Sequence, residues 1–317
     1  MMAAKYLIQI GESVHASIPK SSAAMKELAA RGDGAYEQPS EALDYIVSLI
    51  TDQAAKGADY IAVNVDAFGE DDPQVAVDLM RQYVRLVARH SNGVAVCVDS
   101  SDDNILKAGL EQWYQDAPAG AAMPLLNSVK TYTIETVLPL RAERAFKIVG
   151  LLVEEKSKPG GVTVDDLCHM AHTIFDAAVN KHGFAPEDIL FDTTTFPLAI
   201  DLPMELETPS FTYRAFEAIR KIKSDPTLKG VHCSLGISNS VKDLPARKIG
   251  VCRAYVETAR QYGLDAGIVN VNHEYGQKPA AADLMELVGA FARQDGSAEA
   301  NMKAMELMGE FCRNSKK

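Results

Sequence analysis

Short apolar runs alternate with amphipathic stretches along the chain, and each apolar run ends on a polar residue. This alternation reads as parallel β/α architecture, because a parallel strand reaches its neighbour only through a crossover, usually a helix. The runs predict strands at Tyr6 to Ile10, Tyr60 to Val65, Val94 to Val98, Pro124 to Leu126, Phe146 to Val153, Ile189 to Phe191, Val231 to Leu235 and Ala266 to Val269. Helical periodicity starts at Ser40, an N-cap residue, and runs to Lys56, with Gly57 as its stop. Other helices are predicted from Pro73 to His90, beyond Ser101 to Tyr114, from Thr131 to Arg144 and from Val164 to Lys181. Between Glu12 and Ser40, turn signals stand at Pro19, Gly32-Asp33-Gly34 and Pro39. Eight strand–helix units are the count for a closed (β/α)8 TIM barrel, and a helix near Ser297 to Cys312 is additional.

Composition narrows the class. The chain has 317 residues, 47% of them hydrophobic, which suits one barrel of roughly 250 residues with insertions. No linker or low-complexity run interrupts it, so residues 1–317 are expected to form a single domain. A core of that size needs no disulfide or metal staple. The formal net charge of −11 argues against nucleic acid or an anionic membrane as the main partner. The five cysteines, Cys97, Cys168, Cys233, Cys252 and Cys312, include no C-x-x-C pair and fit reduced thiols in the cytoplasm. The segment Met1 to Ile10 lacks the pattern of a signal peptide. Apolar runs such as Ile148 to Val153 are far shorter than the ~20 residues that span a bilayer.

Chemistry enters at the strand ends. In a barrel of this type the active site lies at the C-terminal face of the strands. The residues expected there are Glu12, Asn64, Asp99, Asn127, Glu154, Asp192, Asn239 and Asn270 or Asn272. They are carboxylates and carboxamides, without lysine, arginine or a histidine pair. A carboxylate only accepts hydrogen bonds, while a carboxamide donates and accepts. Such a set suits a polar, neutral ligand with adjacent donors. A 2-amino-4-oxo pterin offers N3–H and a 2-amino group side by side, with acceptors at N1 and O4. Each of these residues also has a plainer use, since Asp and Asn start turns and cap helices. Asp99, followed by Ser100 and Ser101, could cap its own helix.

The same residues carry a resemblance. Ile10-Gly11-Glu12, Val63-Asn64-Val65, Val96 to Ser100, Leu126-Asn127-Ser128, Leu190-Phe191-Asp192, Leu235 to Asn239 and Gly263 to Ala266 occur in order over residues 6–275. In this the chain resembles the pterin-binding methyltransferases that exchange a methyl group between tetrahydrofolate and a corrinoid protein. The resemblance implies that Asp99, Asn127 and Asp192 hold the pterin ring. Gly236 and Ser238 would shape a loop beside it, and Asn64 and Glu12 would line the floor or rim. Asn239 would lie near N5, which carries the methyl in 5-methyltetrahydrofolate. Cobalamin on a partner corrinoid protein would carry the methyl group, and the enzyme would be a homodimer. The pattern suits tetrahydromethanopterin equally. Relatives follow Gly-Glu with Arg, a hydrophobic residue and Asn; here the chain reads Ser13-Val14-His15. Thr193 to Pro197 and the acidic, proline-rich Asp201 to Ser210 also depart from the pattern.

Loss of a methyl group from a tertiary amine needs positive charge at N5. Asn239 is neutral, but by turning its amide it can follow either protonation state. Other features carry blander readings. His169 and His172, beside Cys168, are an i, i+3 pair without a third ligand, so no metal site is expected. Lys130, Lys156 and Lys158 fall at no predicted strand end, which disfavours a Schiff-base enzyme. His273-Glu274 follows the last strand and could touch ligand or partner. Two alternatives stand beside methyl transfer. One is dihydropteroate synthase, which needs a cationic pyrophosphate site. The other is a non-catalytic subunit that binds a pterin or a corrinoid protein.

Overall fold

The computed structural model describes residues 7–156, 161–202 and 207–314. Among these, eight parallel strands alternate with helices as a (β/α)8 TIM barrel. The strands are β1 (Ile8–His15), β2 (Tyr60–Asn64), β3 (Ala95–Asp99), β4 (Leu125–Val129), β5 (Lys147–Leu151), β6 (Ile189–Asp192), β7 (His232–Ser234) and β8 (Ala266–Val269). Each pairs with its sequence neighbour, and β1 also pairs with β8. The ring closes between β7 and β8 at a single bridge, Gly236 to Ile268, supported by Ile268 N–H donating to Leu235 O at 2.9 Å.

The helices pack their apolar faces on the outside of this ring. They are α1 (Pro19–Arg31), α2 (Glu41–Ala55), α3 (Pro73–His90), α4 (Asp103–Asp116), α5 (Ile134–Val137), α6 (Val164–Phe175), α7 (Phe211–Ser224), α8 (Lys248–Tyr262), α9 (Ala282–Ala292) and α10 (Ala298–Asn314). The pattern of α3 shows why it is a helix. Asp72 caps Gln74 N–H and Pro73 occupies the first turn, where its missing donor costs nothing. Met80, Tyr83, Val84 and Val87 then form one fully buried stripe, each large side chain worth about 1.5–3 kcal/mol on burial. The additional C-terminal helix is present as α10, which buries Ala304, Met308 and Phe311. No helix among the described residues is long and apolar enough to cross a membrane.

Several predicted elements shift. Pro19, read as a turn signal, opens α1 instead, again as a first-turn proline. The helix predicted from Thr131 to Arg144 is only α5 followed by a 3-10 segment, Leu138–Ala142, because Pro139 cannot continue an α-helix. The helix predicted to Lys181 is α6 to Phe175 and then a π-helical segment, Asp176–Lys181. β4 extends past Asn127 to Val129, through a cis Asn127–Ser128 peptide and a register shift against β5. Tyr6, Lys158, Pro159, Gly160, residues 203–206 of the acidic segment, and the end of the basic tail lie outside the described residues.

β1 also runs further than predicted, to His15, with a bulge between Gly11 and Val14 against β2. Gln53 of α2 holds that bulge. Its Oε1 accepts Ser13 N–H at 3.0 Å. A Cβ on residue 11 would stand 2.4 Å from the same oxygen, so any other residue there would push Gln53 off the bulge. A bulge re-aims the side chains beside it, and here Glu12 faces the barrel mouth.

Candidate functional site

The cavity at the C-terminal ends of the strands has a volume of 590 Å³, in the range of small-molecule sites. Alternation along each strand decides which residues reach it. Asn64, Asp99, Leu151 and Asp192 at the ends of their strands, and Asn127 within β4, point inward and line the cavity. Asp99 is the direct register partner of Asn127, and Leu151 of Asp192. Two residues earlier on the same strands come Cys97, Leu125 and Leu190, all buried. The polar ring therefore sits on an apolar plug.

Glu12, Gly236, Ser238 and Asn239 line the same cavity. The eight residues that the resemblance assigns to the site are thus brought together. Glu154, Asn270 and Asn272 are not among its lining residues. Glu154 faces a separate cleft of 300 Å³. Asn270 caps a 3-10 turn by accepting Asn272 N–H, and Asn272 accepts from Lys56 Nζ. His273 contacts the Tyr275 hydroxyl at 2.7 Å, and Glu274 pairs with Lys278. His172 pairs with Asp225 at 2.9 Å, on the outside of the barrel.

Asp99 is the centre of a fixed network. Asn127 Nδ2 donates to its Oδ1 at 2.8 Å, and Asn64 Nδ2 donates to its Oδ2 at 3.3 Å. It does not cap α4; Asp102 does, through Asn104 N–H at 2.7 Å. Asp192 serves a turn with one oxygen, accepting Thr194 N–H at 2.7 Å. Burial pushes the Asp99 carboxyl up to about 7, against the Asn64 hydrogen bond and helped by the nearby charges of Asp66, Asp192 and Glu12. Burial likewise lifts Asp192 to about 7, and the Thr194 N–H only partly offsets it. Glu12 is also raised by burial, although it accepts Ser238 Oγ at 2.7 Å. Three carboxyl groups held above their ordinary range around one cavity form a set of acceptors whose charge is poorly solvated. A ligand that donates to them relieves that cost.

The rim is built differently. Ser238 and Asn239 are exposed, on a 3-10 turn that follows the bridge at Gly236. A Cβ on residue 236 would meet Asn239 Nδ2 at 3.1 Å, so this glycine lets the amide lie back over the barrel end.

Sequence reasoning missed part of the lining. Asp66 takes Ser100 Oγ at 2.6 Å and Ser101 N–H and Oγ at 2.9 Å, tying the loop after β3 to the loop after β2. His15 ends the extended β1, and burial lowers its pKa. Thr194 and Thr195 follow Asp192 into the cavity. Lys130 corrects the expectation that no lysine stands at a strand end. It directly follows β4, is buried and lines the cavity. Its position was hidden because Asn127-Ser128 reads as the end of the strand when the chain in fact continues for two more residues.

Known proteins supply distant structural likenesses and one family. Dihydropteroate synthase from Thermus thermophilus is 14% identical over 86% of this chain and 91% of that chain, with a TM-score of 0.47. The Xanthomonas albilineans enzyme of the same name, with 4-aminobenzoic acid, is 17% identical over 84% and 88%, with a TM-score of 0.46. The homocysteine methyltransferase MmuM from Escherichia coli is 13% identical over 86% and 95%, with a TM-score of 0.44. At this degree of likeness they bear on neither substrate nor reaction. The sequence profile described as pterin binding enzyme matches residues 32–270, which span β2 to β8 and every strand-end residue lining the cavity except Glu12 and His15. The chain belongs to the pterin binding enzyme family.

Proposed function

We propose that this chain is a methyltransferase that moves a methyl group between N5 of tetrahydrofolate and a corrinoid carried by a second protein. The observation that carries the reading is the Asn64–Asp99–Asn127 network facing Asp192 across a cavity of 590 Å³. Asp192 has one oxygen in a turn and a second oxygen that accepts no hydrogen bond from the described residues. Two adjacent ring donors, N3–H and the 2-amino group, match a carboxylate of that kind. The Asn127 amide, already oriented by Asp99, offers its oxygen to a further ring donor. A ring without this donor pattern leaves the raised Asp192 carboxylate buried with an oxygen unpaired, which costs more than a lost contact.

N5 would face the rim, where Asn239 stands. Its carboxamide accepts from a protonated N5 or donates to an unprotonated one, so it steadies charge there without itself being an acid. The proton reaches N5 through water at the open side of the cavity. The corrinoid supplies cobalt-centred methyl exchange. The exposure of Ser238 and Asn239 leaves that edge of the cavity open to a macromolecular partner.

Charge separates this reading from dihydropteroate synthesis. Glu12, Asp66, Asp99 and Asp192 line the cavity, and Lys130 is the one lysine or arginine among the described lining residues. A pyrophosphate would enter a strongly acidic site with a single counter-charge. The test is to mix the protein with methylcobalamin and tetrahydrofolate and follow the corrinoid absorbance, with pyrophosphate release from a pterin pyrophosphate as the rival assay. Formation of 5-methyltetrahydrofolate supports the proposal. Release of pyrophosphate without methyl transfer sinks it.

A further inference from the structure

Lys130 is a buried cation without an ion-pair partner among the described residues. The residue is only 7% exposed. Its Nζ makes one long contact, 3.4 Å to Ser101 O, and lies 5.8 Å from the centre of the Tyr132 ring. No described carboxylate forms an ion pair with it. Asp66, an acidic loop residue lining the same cavity, spends its oxygens on Ser100 and Ser101. An ammonium has three donors, and one that is withdrawn from water without a counter-ion is costly. The cavity it faces offers no other full positive charge at neutral pH among the described lining residues, since burial holds His15 below its ordinary value.

We propose that Lys130 binds a carboxylate of the ligand's glutamate tail, and so distinguishes a folate from a bare reduced pterin. The inference rests on the pterin reading of Asp99, Asn127 and Asp192 and adds the other end of the molecule. Lys130 directly follows β4, three residues beyond Asn127 along the chain toward the mouth. The aminobenzoyl spacer of a folate carries its glutamate away from the pterin ring, toward the mouth of the cavity. A tail carboxylate fills the missing counter-charge. It also enters where the acidic groups are turned away, toward the ring or into the Ser100–Ser101 loop.

The experiment is anaerobic titration calorimetry of the full chain with tetrahydrofolate and with 6-methyltetrahydropterin, which has the ring and no tail. The wild type is expected to favour tetrahydrofolate by about tenfold, the size of a partly solvated charged hydrogen bond. That preference should shrink as salt is raised. Lys130→Met should abolish the preference and leave 6-methyltetrahydropterin binding unchanged, which also shows that the variant is folded. Lys130→Arg should keep most of it. Equal weakening of both ligands in Lys130→Met would assign the lysine to the ring and overturn the inference, as would a preference that survives the substitution. A wild type that binds neither ligand overturns the pterin reading itself, and the two failures are thereby told apart.

Discussion

Asp192 and Asp99 differ in what their oxygens are free to do. Asp99 is held by two amides, while Asp192 has one oxygen in a turn. Asp192→Asn keeps the Thr194 bond but replaces an acceptor by an N–H, so it should weaken tetrahydrofolate by about 3 kcal/mol, over a hundredfold in Kd by calorimetry. Wild-type affinity should also fall as pH drops below about 7, where both carboxyls take up protons and lose acceptor capacity. The effect on stability has the opposite sense. Their folded-state values lie above the ordinary 3.8, so the folded protein binds these protons first. Their contribution to stability is complete below about pH 4 and is lost as pH rises through about 7. Asp192→Asn should therefore be more stable than wild type by about 2 kcal/mol at pH 8, and the gain should shrink toward pH 4 in denaturant melts. A site that costs stability where it works is the usual trade-off of a binding pocket.

At the scale of elements, the loop after β3 shows how site and scaffold divide the work. Asp102 caps α4, while Asp99 three residues earlier faces the cavity. Asp102→Ala should cost about 1 kcal/mol in a denaturant melt and leave pterin affinity unchanged. A loss of affinity would show that the cap also sets the position of Asp99. The eight strands and most of the inward Asp, Asn and Glu residues were legible because strand periodicity is two and the apolar runs end near the mouth, although Glu154, Asn270 and Asn272 turn elsewhere. What stayed hidden involves chain paths that no local pattern marks. The bulge at Gly11 depends on Gln53, forty-two residues away. Lys130 depends on a strand that continues through Asn127-Ser128. The loop tie at Asp66 depends on two serines of another β/α unit. Pro19 and Pro139 act in opposite ways, since proline starts a helix at its first turn and ends one in its interior.

At the scale of the whole molecule, the barrel has a working end and a holding end. Gly263 to Ala266, one of the segments behind the family resemblance, belongs to the holding end, entering β8 opposite the cavity. Asp265 there accepts Cys233 N–H at 2.8 Å, Lys223 Nζ at 2.8 Å and His232 Nδ1 at 3.1 Å. Burial alone would raise its pKa, but these partners hold it well below the usual carboxylate range. Its contribution to stability is present above about pH 4 and is lost as pH falls through the folded value. With Asp99 and Asp192 acting in the other direction, the unliganded protein should be most stable in mildly acid solution. Asp265→Asn leaves Lys223 without its charge partner across the β7–β8 seam and should cost about 3 kcal/mol, read from a melt at pH 7.

The central claim concerns N5 and the rim, and a single-turnover transfer of a carbon-13 methyl group tests it most directly. The methyl would be presented on cobalamin with tetrahydrofolate as acceptor, and its arrival followed by NMR. The wild type should produce the N5-methyl signal of 5-methyltetrahydrofolate. Asn239→Ala, an exposed position, should melt like wild type and bind tetrahydrofolate about as well, yet transfer the methyl about a hundredfold more slowly. A wild type that binds tetrahydrofolate but never yields the N5-methyl signal, with free or protein-bound corrinoid, would contradict the account.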